Sequence, residues 1–258
     1  MPPMRPRHPA VVGPAGKIQW RAPAARALAA LCLVWCGQCA AAALPDTLEQ
    51  RLIACTGCHG KRGEGSTEGG YMPRLSALPA RYLRDQLISF RDGRRHFPDM
   101  NALVASLSDA YLEEIASYFA NLPASFIAAQ PATLSVQEST RTEALVRRGD
   151  AVRQIPSCVS CHGDALMGVQ PAVPALVGQP RDYLRSQLGA WRAGVRHATA
   201  PDCMATVVNR LSESDISAIS AWLAARVPGP VVTRPAVTYP GRPPLECGST
   251  PALVDHAP

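Results

Sequence analysis

The pentapeptide Cys-x-x-Cys-His occurs twice, at Cys55-Thr56-Gly57-Cys58-His59 and at Cys158-Val159-Ser160-Cys161-His162. Each copy opens a stretch that the other half repeats. Pro73 pairs with Pro174, Tyr82-Leu83 with Tyr183-Leu184, Gln86-Leu87 with Gln187-Leu188 and Phe90 with Trp191. Gly93 pairs with Gly194 and Arg95-His96 with Arg196-His197, all at an offset of 101. Further on, Met100, Leu107, Ile115 and Phe119 pair with Met204, Leu211, Ile219 and Leu223 at an offset of 104. The chain is a tandem duplication of a unit of about 80 residues, so two small domains of one kind are expected rather than one large domain.

Each unit reads as helical. Leu83, Leu87 and Phe90 recur at i, i+4 and i+7, one face of a helix over Ala80 to Phe90, with a twin over Arg181 to Trp191. Ser108 and Ser212 each precede early acids, Asp109 and Glu113 or Glu213 and Asp215, which marks a helix N-cap. Ile115, Tyr118 and Phe119 line one face of the first of these helices; Ile219, Trp222 and Leu223 line its twin. Short amphipathic segments, Thr47 to Ile53 and Glu143 to Val152, lead into the two motifs. The expected fold is all-α, a tandem pair of small domains. Residues 44–124 form the first, 125–140 a linker and 141–228 the second. A Pro-rich tail, 229–258, is a poor core former.

The formal charge of +6 does not point to nucleic acid. Residues 1–43 carry five basic side chains and no acid, and without them the balance is 21 basic to 20 acidic. Those residues read as a secretory signal peptide: basic residues, an apolar run from Ala27 to Trp35, then small residues, with cleavage expected between Ala40 and Ala43. The apolar run is shorter than the ~20 residues a spanning helix prefers. The protein is therefore expected in the periplasm. Of nine cysteines, three leave with the leader and four belong to the motifs. The remaining two, Cys203 and Cys247, are expected to pair in an oxidising compartment.

Closely spaced thiols serve zinc sites, dithiol redox sites and haem attachment. No strand-rich pattern surrounds either copy, which argues against a thioredoxin-like site. A zinc site shared between the copies would leave both histidines idle. Haem attachment uses every residue: Cys55 and Cys58, or Cys158 and Cys161, bond the haem vinyl groups, and His59 or His162 becomes an axial ligand. Gly60 and Gly163 let the chain turn away after the histidine. Two covalently attached haem c groups are expected.

A second axial ligand comes from further along. Met100 stands 41 residues after His59, and Met204 stands 42 after His162. Both lie in Pro- and Asp-containing segments, read as loops, each seven residues before the Leu that opens the last helix. Their matched register favours them over core-filling methionines. Met72 and Met167 do not match each other. His96 and His197 do match and are rival ligands, and Cys203 is a rival to Met204.

With these residues placed, the chain resembles class I cytochromes c, and more closely the two-domain, di-haem periplasmic proteins of the cytochrome c-four type. The resemblance rests on "CTGCHG", "MPRL", "YLRDQLISFRDGRR" and "PDMNALVASLSDAYLEEIASYFANLP" with their second-half partners, from about Pro45 to Pro228. It implies two domains joined face to face, and backbone carbonyls at Pro73 and Pro174 that orient the axial histidines. It implies single-electron transport between a respiratory donor and a terminal oxidase or reductase. The partners would be redox proteins: a respiratory complex, dehydrogenase, oxidase or reductase. Association with the membrane surface would come through those partners. Tyr82, Tyr183, Phe90 and Trp191 read as packing residues rather than electron relays. Two other functions compete. One is a di-haem oxidoreductase on a small sulfur or peroxide substrate, which Cys203 alone invites. The other is the haem subunit of a larger dehydrogenase.

Overall fold

The computed structural model describes residues 47–67, 72–226, 228, 235 and 243–250. The expected leader and its cleavage site, and most of the tail, lie outside these residues. Among the described residues the regular structure is helical, with only isolated β-bridges. No helix among them is long and apolar enough to cross a membrane.

In the first half, α1 (Leu48–Arg51) leads into α2 (Ile53–His59), and the first motif ends α2. Thr47 caps α1 by accepting the Gln50 amide. α3 (Ala80–Arg91) starts after Pro79, and α4 (Pro98–Val104) and α5 (Asp109–Asn121) follow. α3 and α5 form the main helix pair, with α4 packed on α3. The apolar faces read from periodicity meet here: Leu83, Phe90, Leu112, Ile115 and Phe119 are buried. Ser108 accepts the Tyr111 amide at 3.3 Å, as its place before the acids predicts.

The second half repeats this plan. α6 is Val136–Arg148 and α7, which closes the second motif, is Val159–His162. α8 is Arg181–Arg192, α9 is Cys203–Val208 and α10 is Glu213–Ala224. α10 packs on both α6 and α8, and α9 packs on α8. Trp222 and Leu223 fill the centre of this domain.

Two expectations need correction. α6 begins at Val136, inside the segment expected to be linker, because Ser135 and Glu138 make a capping box: Ser135 Oγ accepts the Glu138 amide (3.2 Å) and Glu138 accepts the Ser135 amide (2.8 Å). The methionine segments are short helices rather than loops, with Met100 in the first turn of α4 and Met204 in that of α9. Pro98 suits a first helical turn, and Asp202 caps α9 by accepting the Ala205 amide at 3.0 Å.

The two halves meet through residues that the duplication preserves. Arg95 and Arg196 form an antiparallel bridge, and His197 N donates to Arg94 O at 2.8 Å. Gln86 Oε1 accepts from Arg95 (2.9 Å) and from Arg196 (2.8 Å); Gln187 Oε1 likewise accepts from Arg95 (2.7 Å) and Arg196 (2.8 Å). Arg95 also donates to Tyr183 Oη at 3.0 Å, and Arg196 bonds Tyr82. Tyr82 and Gln86 are four residues apart and share a face of α3; Tyr183 and Gln187 do the same on α8. These tyrosines therefore belong to the domain interface, while Phe90 packs in the core. Alongside, Gln179 clamps the Arg74 backbone, accepting its N–H (2.9 Å) and donating to its C=O (3.1 Å).

Candidate haem sites

Both motif histidines are buried, His59 at 6% exposure and His162 at 7%. Each ends its helix against a glycine of positive φ, Gly60 at 84° and Gly163 at 79°, where a side chain would be strained. His59 Nδ1 lies 2.9 Å from Pro73 O, and His162 Nδ1 lies 2.8 Å from Pro174 O. A carbonyl can only accept, so Nδ1 carries the proton and Nε2 keeps the lone pair a metal needs. Burial lowers the pKa of both rings; the carbonyl bonds oppose the shift, and Arg95 adds to it at His59. The neutral tautomer is thus held ready in both domains.

The thiols flank these rings. Cys55, Cys158 and Cys161 are partly buried and Cys58 is exposed. Burial pushes the Cys158 thiol up to about 12, with Cys161 adding to the effect, and raises Cys55 and Cys161 as well. Burial thus keeps these three thiols protonated rather than as thiolates at neutral pH. Among the described residues no three His, Cys, Asp or Glu side chains converge as a metal site.

Met100 and Met204 are half-buried and pack against the apolar core. Their rivals lie elsewhere. His96 and His197 are exposed, and Met167 is core. Cys203 is bonded to Cys247, as expected of two surplus cysteines, which withdraws it as a thiolate ligand.

Buried donors complete the picture, and sequence reasoning gave them no role. Arg74 is fully buried, stacked on Phe126 at 5.0 Å, with one N–H on Ser76 O. Its Nε and Nη2 have no partner, and burial lowers its pKa to about 10. Arg95 and Arg196 are also buried, and their partners at the interface are neutral amides and phenols. Burial, then the neighbouring Arg95, lowers the pKa of Arg196. Buried guanidinium groups without carboxylates lack counter-charge. A haem carries two carboxylates, so the chemistry of these residues fits that group: thiols for its vinyls, a ready imidazole, a soft thioether and cations for its acids. The signal for Arg95 and Arg196 was their preservation, with Gln and Tyr, between the repeats.

Similarity to known proteins gives the family. A family model described as Cytochrome c matches residues 146–226. The chain is 37% identical over 195 residues to a "Thiosulfate dehydrogenase electron acceptor" of Thiomonas intermedia, covering 75% of this chain and 86% of that one. It is 32% identical to a cytochrome c4 of Pseudomonas aeruginosa, covering 68% and 85%. Among solved structures, the reduced recombinant cytochrome c4 of Pseudomonas stutzeri superposes with a TM-score of 0.60 at 29% identity, over 69% of this chain and 95% of that one. A thiosulfate dehydrogenase, TsdBA, of Marichromatium purpuratum superposes with a TM-score of 0.62 at 33% identity, over 67% of this chain but 36% of that one. The chain belongs to the cytochrome c family, as a tandem pair of class I domains of the cytochrome c4 type.

Proposed function

We propose that this chain is a periplasmic di-haem electron carrier, exported by cleavage of residues 1–43, that takes electrons singly from a thiosulfate-oxidising dehydrogenase and passes them to a further redox protein. The first and the second helical domain each hold one haem c. Cys55, Cys58, His59 and Met100 serve the first; Cys158, Cys161, His162 and Met204 serve the second. The observation that carries the reading is the twofold occurrence of one detail, a buried histidine whose Nδ1 proton rests on a proline carbonyl 2.8–2.9 Å away. The bound haem supplies a one-electron couple, and a thioether ligand raises its potential.

The protein's own residues set the conditions. The Pro73 and Pro174 carbonyls fix ring orientation and tautomer, so neither histidine needs to change protonation as electrons pass. Burial excludes water and favours the less charged, reduced form. Arg74, Arg95 and Arg196 supply cationic charge at the interface. Arg95 is close enough to His59 to shift its pKa, so the interface and the first site are electrostatically continuous. With His and Met both committed in each domain, no position is left for substrate. The relatives named as electron acceptors of thiosulfate dehydrogenase favour that enzyme class as donor.

Stopped-flow spectroscopy tests this. The ferric holoprotein should stay oxidised with thiosulfate alone and become reduced when a catalytic amount of a thiosulfate dehydrogenase is added. Rapid reduction by thiosulfate alone would support the sulfur-oxidising enzyme instead.

A further inference from the structure

The two methionine segments are equivalent in the duplication but are fastened by different means. In the first domain the fastener is Asn101, the residue after Met100. Its Oδ1 accepts the Phe97 amide at 2.8 Å, and its Nδ2 donates to Phe90 O and to Arg95 O, the latter at 3.1 Å. One side chain thus ties the first turn of α4 to the end of α3 and to the interface loop. The second domain has Ala205 at that register, which can make none of these bonds.

A different set of contacts surrounds Met204. Asp202 Oδ1 caps α9, and Oδ2 accepts from Ala198 N (2.7 Å) and from Trp191 Nε1 (3.2 Å). Cys203, between this cap and Met204, is bonded to Cys247. The tail residue Gly248 lies against the Ala200 carbonyl, leaving no room for a side chain, and its N–H donates to Pro201 O at 3.0 Å. The tail is therefore a strap across residues 199–203, fixed next to the methionine.

Resting on the His/Met reading above, we propose that Asp202 and the Cys203–Cys247 bridge are positioning residues for Met204, doing in the second domain what Asn101 does in the first. A crosslink restricts the states in which the segment has swung away, so it slows loss of the thioether from iron. Removing it loosens one haem's ligation and leaves the other's unchanged.

The test uses ferric holoprotein and imidazole, which competes with methionine for iron. Uptake is followed by loss of the weak long-wavelength sulfur-to-iron band. C203A/C247A is expected to take up imidazole at one of its two haems at least about tenfold faster than the wild type, which corresponds to about 1.4 kcal/mol in the barrier. N101A is expected to accelerate one haem likewise, and the triple variant both. Wild-type holoprotein with its disulfide reduced and alkylated, and its haems reoxidised with ferricyanide, should match C203A/C247A without any substitution. Wild-type rates at both haems in C203A/C247A and in the alkylated protein, with the band intact, would overturn the proposal. So would a triple variant that accelerates only one haem. A wild-type protein whose band accounts for only one haem would remove either Met100 or Met204 as a ligand; this failure of the underlying reading is distinct from unchanged rates.

Discussion

Replacing Gln187 by Leu removes one of two amide carbonyls that hold the domains together while keeping the side-chain volume nearly constant. Gln187 Oε1 accepts two N–H groups, one from Arg95 at 2.7 Å and one from Arg196 at 2.8 Å. Hydrogen bonds to charged groups contribute roughly 1.5–3 kcal/mol each, so losing both costs about 3–6 kcal/mol at face value. The figure must be discounted. Arg95 keeps Gln86 and Tyr183, and Arg196 keeps Gln86 and Tyr82, so neither cation is stranded. We expect a net loss of about 2–4 kcal/mol in the coupling between domains. Urea unfolding of the holoprotein, followed by far-UV circular dichroism and by the haem Soret band, reads this. The wild type should unfold in one coincident transition. Q187L should split it, with the first midpoint lowered by about 1–2 M, since urea slopes for domains of this size are about 2 kcal/mol/M. Q86L should do the same, because Gln86 occupies the symmetry-related place. A coincident transition at the wild-type midpoint in both variants would refute the claim that these amides carry the interface.

Three further outcomes follow from local geometry. Asp215 joins α10 to Arg153 at 2.6 Å and to the Ser212 amide at 2.9 Å, and D215N should destabilise the second domain by about 1–3 kcal/mol, measured by thermal unfolding. Burial alone would raise the Asp215 carboxyl, but the Ser212 amide and Arg153 outweigh it and hold the pKa below the ordinary range. Its stabilisation is therefore complete above the unfolded value of about 3.9 and is lost as pH falls through the lower folded value, a slope that D215N should abolish. S135A should cost about 1 kcal/mol in the same unfolding assay through loss of the capping box on α6, whereas a stability unchanged from wild type would mean that α6 is held by packing alone.

The duplication made most of the fold legible. A helical apolar face that recurs at a fixed offset is constrained twice, so α3, α5, α8 and α10 could be placed from Leu83, Phe90, Ile115 and their partners. The start of α6 was missed because Ser135 and Glu138 have no counterpart in the first half to mark them. The helices carrying Met100 and Met204 read as loops because each is one or two turns long, too short for periodicity to register. The motif histidines and cysteines followed from residue type and spacing, and the proline carbonyls from the family resemblance. Arg74 did not, since a lone arginine gives no sign that the fold will bury it against Phe126. The resemblance implied that the domains meet face to face but not through which residues: Tyr82 and Tyr183 read as packing residues, and Gln86 and Arg95 had no role until Arg95 and Arg196 bridged α3 and α8. The contrast between Asn101 and the Cys203–Cys247 strap lies where the repeats differ, which is where comparing the halves yields expectations about neither.

The measurement that bears most directly on a two-haem carrier is an optical redox titration of the mature holoprotein, with the ferric sulfur-to-iron band recorded alongside. Two high-potential one-electron steps, with the band at the strength of two haems, are the predicted result. A low-potential step, or a band worth a single haem or none, would contradict His/Met ligation in both domains and with it the carrier function.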